Sequence, residues 1–154
     1  MSRIRTGLTV RVAGAALVAL ALLSAPTLAA GPIKGASYHG ALSGSQSKVT
    51  ISFKVSAAGL IQNMRISSLP NYCGRAAPGT PKIAFPNTKV SANGTFSIPG
   101  KDLIAAGPLK GSVVATLLVS GRFRSGGKES GTVTTTYGGP AKKCSGHSAY
   151  ATVH

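Results

Sequence analysis

The sequence predicts an all-β fold, either an antiparallel β-sandwich or a flattened barrel, built from about eight short strands. Short β-prone runs recur at spacings of about ten residues and are separated by turns rich in glycine and proline. Residues 48–56 alternate strictly between polar and apolar side chains, and this two-residue period is typical of a half-buried strand. No segment after residue 30 has convincing helical periodicity. We therefore expect strands alone to build the core.

The first three predicted strands lie between residues 37 and 66. The first covers residues 37–42. The second is the alternating run, whose apolar face carries Val49, Ile51, Phe53 and Val55. A turn at 57–59 leads into a less regular alternation with the apolar residues Leu60, Met64 and Ile66. We expect the second and third runs to pair as a hairpin.

Glycine and proline divide the rest of the chain into further short strands. Asn93 and Gly94 interrupt the run 90–98, and this dipeptide is a strong hairpin signal because both residues tolerate positive φ. Residues 101–108 have the composition of a loop. The remaining predicted strands are 83–85, 112–123, 131–137 and 147–153.

The first thirty residues have the composition of a secretory signal peptide. Basic residues up to Arg11 precede an apolar run at 12–23, and small residues follow up to Ala29 and Ala30. The apolar run is shorter than the roughly 20 residues that a membrane-spanning helix needs. We expect cleavage after Ala29 or Ala30 and a secreted protein without a transmembrane segment. Residues 31–154 then form a single domain.

Acidic residues are nearly absent from the chain. It carries 17 Lys and Arg against 2 Asp and Glu, a formal net charge of +15 at pH 7. Catalysis by paired carboxylates needs two acids in one cleft, and Asp102 and Glu129 are the only ones present. We interpret Glu129 as a solvated charge in a turn and Asp102 as the cap of a short turn. The sequence indicates no catalytic residues and thus a protein that is not an enzyme.

The histidines do not form a recognisable metal site. His39, His147 and His154 lack the spacing of metal ligands and have no acidic residue beside them. His39 and His147 would approach one another only if the first and last strands pair. A secreted enzyme would also need Asp102 in the same cleft. We predict no metal site and no cofactor.

Positive charge is the candidate functional feature. Arg122 and Arg124 flank Phe123 in a predicted strand, so they share the face opposite that ring. The following turns add the lysines Lys128, Lys142 and Lys143. These five basic residues predict a site for an anionic partner, such as a polymer or another component of the cell surface. The alternative is that the charge only keeps the protein soluble and protects its edge strands.

Carbohydrate binding is a second function that the composition allows. Sugar rings stack on exposed aromatic side chains, and the chain has no Trp and 4 Tyr. Tyr72 is the best candidate for an exposed ring. Its alternative role is to pack over a disulfide formed by the neighbouring Cys73.

The chain has two cysteines, Cys73 and Cys144, and both follow the predicted signal peptide. An even number of cysteines in an exported protein suggests one disulfide bridge. Two separate buried thiols are the alternative. Neither residue belongs to a Cys-x-x-Cys pair of the kind that binds zinc.

The order of these features resembles small exported proteins of actinobacterial type. The resemblance covers nearly all of residues 35–154. It depends on the segment Tyr38-His39-Gly40, the run Val-x-Ile-x-Phe-x-Val-Ser, one mid-chain cysteine, a Gly-x-Phe segment and the final segment Cys144-Ser-Gly-His-Ser-Ala-Tyr-Ala. It implies a secreted β-sandwich in which a bridge ties the last strand to the loop after the third. It implies no catalytic residues.

We predict that the exported protein has no free thiol. A bridge between Cys73 and Cys144 would stabilise the fold by ~4 kcal/mol in the chain-entropy model. The measurement is alkylation in denaturant without reductant, followed by intact mass, because denaturant exposes buried thiols but leaves a bridge closed. The same treatment after reduction is the control. Alkylation of both cysteines before reduction would contradict the bridge.

Overall fold

The computed structural model describes residues 31–70, 83–103, 110–138 and 144–154. The described residues form nine strands: β1 (Ser37–Leu42), β2 (Thr50–Val55), β3 (Leu60–Ile66), β4 (Ile83–Ala84), β5 (Thr88–Lys89), β6 (Thr95–Leu103), β7 (Val113–Phe123), β8 (Glu129–Tyr137) and β9 (Cys144–Val153). Two short 3-10 turns, η1 (Gly44–Gln46) and η2 (Ser125–Gly127), are the only helical segments in these ranges. The predicted all-β class is confirmed.

All nine strands belong to one antiparallel sheet. Its order is β4-β6-β7-β8-β9-β1-β2-β3-β5, and it curls into a half-barrel. This arrangement corresponds to the flattened-barrel form of the prediction. The two halves of the curled sheet still face one another across a core, as the layers of a sandwich do.

The turn at Asn93 and Gly94 connects opposite ends of this sheet. β5 is the edge strand beside β3, whereas β6 lies next to the other edge strand, β4. The turn is closed by a bond from the Ser91 amide to the Thr95 carbonyl (2.9 Å), and Gly94 has a φ of 77°. The predicted turn is therefore present, but β5 pairs with β3 rather than with β6. Because only residues 90–94 separate the two strands, the sheet has to curl.

An aromatic cluster fills the interior of the curled sheet. Phe53 of β2 is 3% exposed and stacks on Tyr38 of β1, with ring centroids 5.0 Å apart. Phe123 of β7 lies edge-on to both rings, and Phe96 of β6 lies 6.0 Å from Phe53. β8 and β9 separate β7 from β1 in the sheet, so these contacts cross the interior. Each such pair contributes roughly 0.5–1.5 kcal/mol beyond the burial of its area.

A β-bulge explains the irregular alternation of β3. Asn63 and Met64 together stand opposite the single residue Phe53 of β2. Asn63 has a φ of 54°, in the left-handed region that asparagine tolerates better than most residues. The extra residue interrupts the two-residue alternation, so the positions that point inward before the bulge are out of step with those after it. Ile61 is therefore fully buried, whereas Leu60, which was expected to share a face with Met64, is only partly buried.

Several predicted features lie outside the described residues. They are the signal peptide at 1–30, Tyr72, Cys73, Lys142 and Lys143. Cys144 is the first residue of β9, and its bridge to Cys73 stays a prediction. Among the residues that the structure describes, no helix has the length and apolar character needed to cross a bilayer.

Truncation of Phe53 tests the inward face of β2. We expect Phe53→Ala to lower the free energy of unfolding by about 3–5 kcal/mol, because it removes the ring that contacts three other aromatic side chains. Ser52→Ala, on the outward face of the same strand, is the matched control and should change it by less than about 0.5 kcal/mol. Denaturant unfolding measures both. Equal losses would show that the face of β2 is assigned wrongly.

Candidate functional site

Both acidic side chains of the chain face the interior. Asp102 is 5% exposed and Glu129 is 2% exposed. The interpretation of Glu129 as a solvated charge is therefore wrong, and Asp102 lies within a strand rather than at the cap of a turn. β6 continues to Leu103 through the start of the predicted loop, and Asp102 lies on its buried face with Ile98. Glu129 is the first residue of β8 and shares the inward face with Val133.

The Glu129 carboxyl is the centre of a buried hydrogen-bond network. The Tyr150 hydroxyl donates to Glu129 Oε1 and the Thr152 hydroxyl donates to Oε2, each at 2.8 Å. Gly121 leaves the space that the carboxyl needs, since a Cβ there would lie 2.1 Å from Oε1. Burial raises the pKa of Glu129 to about 7 although both hydrogen bonds oppose the shift. Burial and the nearby carboxylate also raise the pKa of Tyr150.

Basic side chains occupy the outside of the molecule. All ten Lys and Arg residues in the described ranges are exposed: Lys34, Lys48, Lys54, Arg65, Lys89, Lys101, Lys110, Arg122, Arg124 and Lys128. Asp102 and Glu129 are the only acids in the sequence, and both are buried. The described surface therefore carries no carboxylate side chain to neutralise these cations.

The strand order brings several of these cations into one line. The Arg124 amide donates to the Lys128 carbonyl at 2.8 Å, which places the end of β7 beside the start of β8. Extending the β8 and β9 register by one residue puts Lys128 opposite Val153, and Val153 pairs with His39. His39 pairs in turn with Ser52, and Ser52 pairs with Arg65. The line crosses five strand spacings, or about 24 Å.

We call this line, together with its two flanking cations, the basic row. Its members are Arg122, Arg124, Lys128, His39, Arg65 and Lys54. Arg122 on β7 lies one outward position before Arg124, the residue that follows this strand, and Lys54 lies one outward position after Ser52 on β2. Every member of the basic row is exposed.

Arg122, Arg124 and Lys128 are the predicted site residues that the structure places together. Phe123 is buried between the two exposed arginines, as the alternation predicts. The Arg124 Nε donates to the Ser130 hydroxyl at 3.2 Å, and Ser130 pairs with Arg122 across β7 and β8. Lys142 and Lys143 lie outside the described residues.

His39, Lys54 and Arg65 were not predicted as site residues. Alternation already places Lys54 on the polar face of its strand. Alternation does not give the order of the strands in the sheet. It is this order that places β3 on the same line of residues as the end of β7. Pairing of the first and last strands was considered for the histidines, and it is this pairing that joins the two halves of the basic row.

The three side chains considered for a metal or catalytic site, His39, His147 and Asp102, are all described by the structure and do not converge. β1 and β9 pair, but His39 stands opposite Val153, six residues from His147 and so about 20 Å along the strand. Both histidines are exposed, whereas Asp102 faces the interior. No group of three or more His, Cys, Asp and Glu side chains suited to a metal ion occurs within the described ranges.

The described tyrosines do not offer rings to a sugar. Tyr38, Tyr137 and Tyr150 are all buried in the core. Tyr150 bonds to Glu129, and the Tyr137 hydroxyl donates to the Pro70 carbonyl. The ring proposed for carbohydrate binding, Tyr72, lies outside the described residues.

Comparisons with known proteins add no family assignment. No family model, curated protein or solved structure matches the chain.

The raised pKa of Glu129 predicts that the protein loses stability as the pH rises. Between pH 4.5 and about 7 the folded protein keeps a proton on Glu129 that the unfolded chain has released. We expect the free energy of unfolding to fall across this interval by on the order of 3 kcal/mol from this group and then to level off.

Glu129→Gln removes this titration and keeps the shape of the side chain. All other side chains are the same in both proteins, so the difference between wild type and variant isolates Glu129. We expect that difference to change between pH 5 and 8 in denaturant unfolding curves. A difference that is constant over this range would contradict the assignment.

Proposed function

We propose that this protein is a secreted, non-enzymatic binding protein that associates electrostatically with an anionic polymer of the cell surface. The observation that carries the proposal is the segregation of charge. Both acids are buried, and all ten described Lys and Arg residues are exposed. An anionic chain approaching the described surface therefore meets cations and no carboxylate side chain.

The arrangement of the cations supports a linear partner. The basic row runs across neighbouring strands rather than along one strand, and it follows the outside of the curled sheet. A polymer lying across the strands would meet several cations in succession. Each contact releases condensed counterions, so many weak contacts add up to strong binding at low salt.

The identity of the partner follows from the expected location. The signal peptide predicted at 1–30 would deliver the protein outside the cell, where anionic polymers of the envelope are available. The predicted Cys73–Cys144 bridge suits the same oxidising compartment. The alternative, that the charge serves only solubility, predicts the same composition but no dependence on where the cations lie.

Charge reversal at one end of the basic row tests this proposal. We expect Arg122→Glu with Arg124→Glu to abolish most of the co-sedimentation of the protein with isolated cell envelopes. Wild-type binding should itself fall steeply between roughly 50 and 200 mM salt. Thermal unfolding of each variant establishes that it is folded.

The matched control is Lys101→Glu with Lys110→Glu. This pair removes the same charge, but Lys110 precedes the first residue of β7 whereas Arg122 and Arg124 lie at its end. Lys34 is a poorer control, because its neighbour Ile33 lies against Gly127 of η2 and so close to Lys128. Equal losses in both double variants would mean that only net charge matters. Wild-type protein that stays in the supernatant at low salt would contradict the proposal.

A further inference from the structure

A polar groove lies on the outer face of β1, β2 and β3, at one end of the basic row. We call it the β1–β3 groove. Its volume is about 350 Å³, and its lining residues are Ser37, His39, Ser52, Phe53, Lys54, Asn63 and Arg65. Phe53 points inward, so the side chains that face the groove are polar.

The pairing of the strands explains how these side chains come together. Ser37 pairs with Lys54, and His39 pairs with Ser52. Ser52 also pairs with Arg65 on β3. Paired residues on one face of a sheet lie about 5 Å apart, and diagonal neighbours about 7–8 Å apart. Lys54 and Arg65 are therefore close enough to contact a single small ion from two sides.

The β1–β3 groove is rich in hydrogen-bond donors. An arginine offers five N–H groups in a planar fork and a lysine offers three, while the serine hydroxyls and the Asn63 amide can also donate. No acid lines the groove. Like charges on adjacent strands repel one another, and a bound anion would relieve that repulsion.

The bulge in β3 contributes to the same groove. Asn63 is the bulged residue with positive φ, and its side chain is exposed on the groove side of the strand. Bulges re-aim side chains and are frequent next to functional sites. Gln62 pairs with Lys54, and Arg65 pairs with Ser52. Two residues separate Gln62 from Arg65 on β3, whereas only one separates Ser52 from Lys54 on β2.

We propose that the β1–β3 groove binds one phosphate group between Arg65 and Lys54. Its donors come from three strands and from several directions, which suits a tetrahedral oxyanion better than a planar carboxylate with two oxygens. The phosphate can belong to a free phosphate monoester or to a phosphodiester of a polymer. In the second case the inference rests on the proposed function and names the chemical group that the polymer presents.

Inorganic phosphate is the first probe. Calorimetry or NMR titration of the full exported protein, at constant ionic strength set with chloride, should give saturable binding with one site at the groove. Arg65→Gln should weaken it about tenfold, the loss expected for one charge-assisted contact. Lys101→Gln, which removes one exposed cation outside both the groove and the basic row, is the control and should change the affinity less than about twofold.

A second variant keeps the test valid if Arg65→Gln does not fold. Asn63→Gly retains the positive φ of the bulge, which glycine adopts easily, and removes the amide from the groove. It should also weaken phosphate binding, while its thermal stability in chloride stays close to that of the wild type. Phosphate binding that is not saturable, or that falls equally in the groove variants and in Lys101→Gln, would overturn the inference.

Dimethyl phosphate distinguishes the two sources of the phosphate group. Binding of this diester at the same groove supports a polymer as the source, and binding of inorganic phosphate alone supports a free monoester. Envelope co-sedimentation is measured in parallel. Envelopes that bind while phosphate does not saturate the groove would refute the groove and leave the proposed function standing. Saturable phosphate binding without envelope binding would do the reverse.

Discussion

The short connection between β5 and β6 determines the shape of this protein. These strands belong to opposite ends of a nine-stranded sheet, yet only residues 90–94 separate them in the chain. A flat sheet of nine strands would hold its ends apart by many strand spacings of about 4.8 Å, which five residues cannot span within a closed turn. The sheet therefore curls, and the aromatic rings of Tyr38, Phe53, Phe96 and Phe123 meet across its interior.

Curling gives the sheet a small interior and a large outer face, and the charges divide between them. Glu129 is accommodated inside because Tyr150 and Thr152 on the neighbouring strand donate to both of its oxygens. Such a network offsets part of the cost of burying a carboxyl group, and the raised pKa records the part that remains. The described lysines and arginines all lie on the outer face of the sheet or in exposed turns. Because β8, β9, β1 and β2 lie between β7 and β3, the cations at the ends of these two strands become parts of one row.

The sequence predicted the class of the fold and most of its strands from local pattern. Residues 37–42 form β1 as expected, and the face assignments of Phe53 and Phe123 are confirmed. Asp102 and Glu129 were misassigned because residue type was given more weight than alternation. Val133 points inward, and alternation continued back by four residues from Val133 also places Glu129 on the inward face. The bulge at Asn63 and the pairing of distant strands depend on tertiary contacts, so no local pattern indicated the β1–β3 groove.

Chemical labelling of carboxyl groups tests most directly whether the folded surface presents cations without carboxylate side chains. The native protein is treated with a carbodiimide and an amine near neutral pH, with a short acidic peptide in the same tube as an exposed reference. Peptide-level mass spectrometry then follows Asp102 and Glu129. We expect both to stay unmodified while the reference reacts, and both to react once the protein is unfolded. Labelling of either residue in the native protein at the rate of the reference would contradict it.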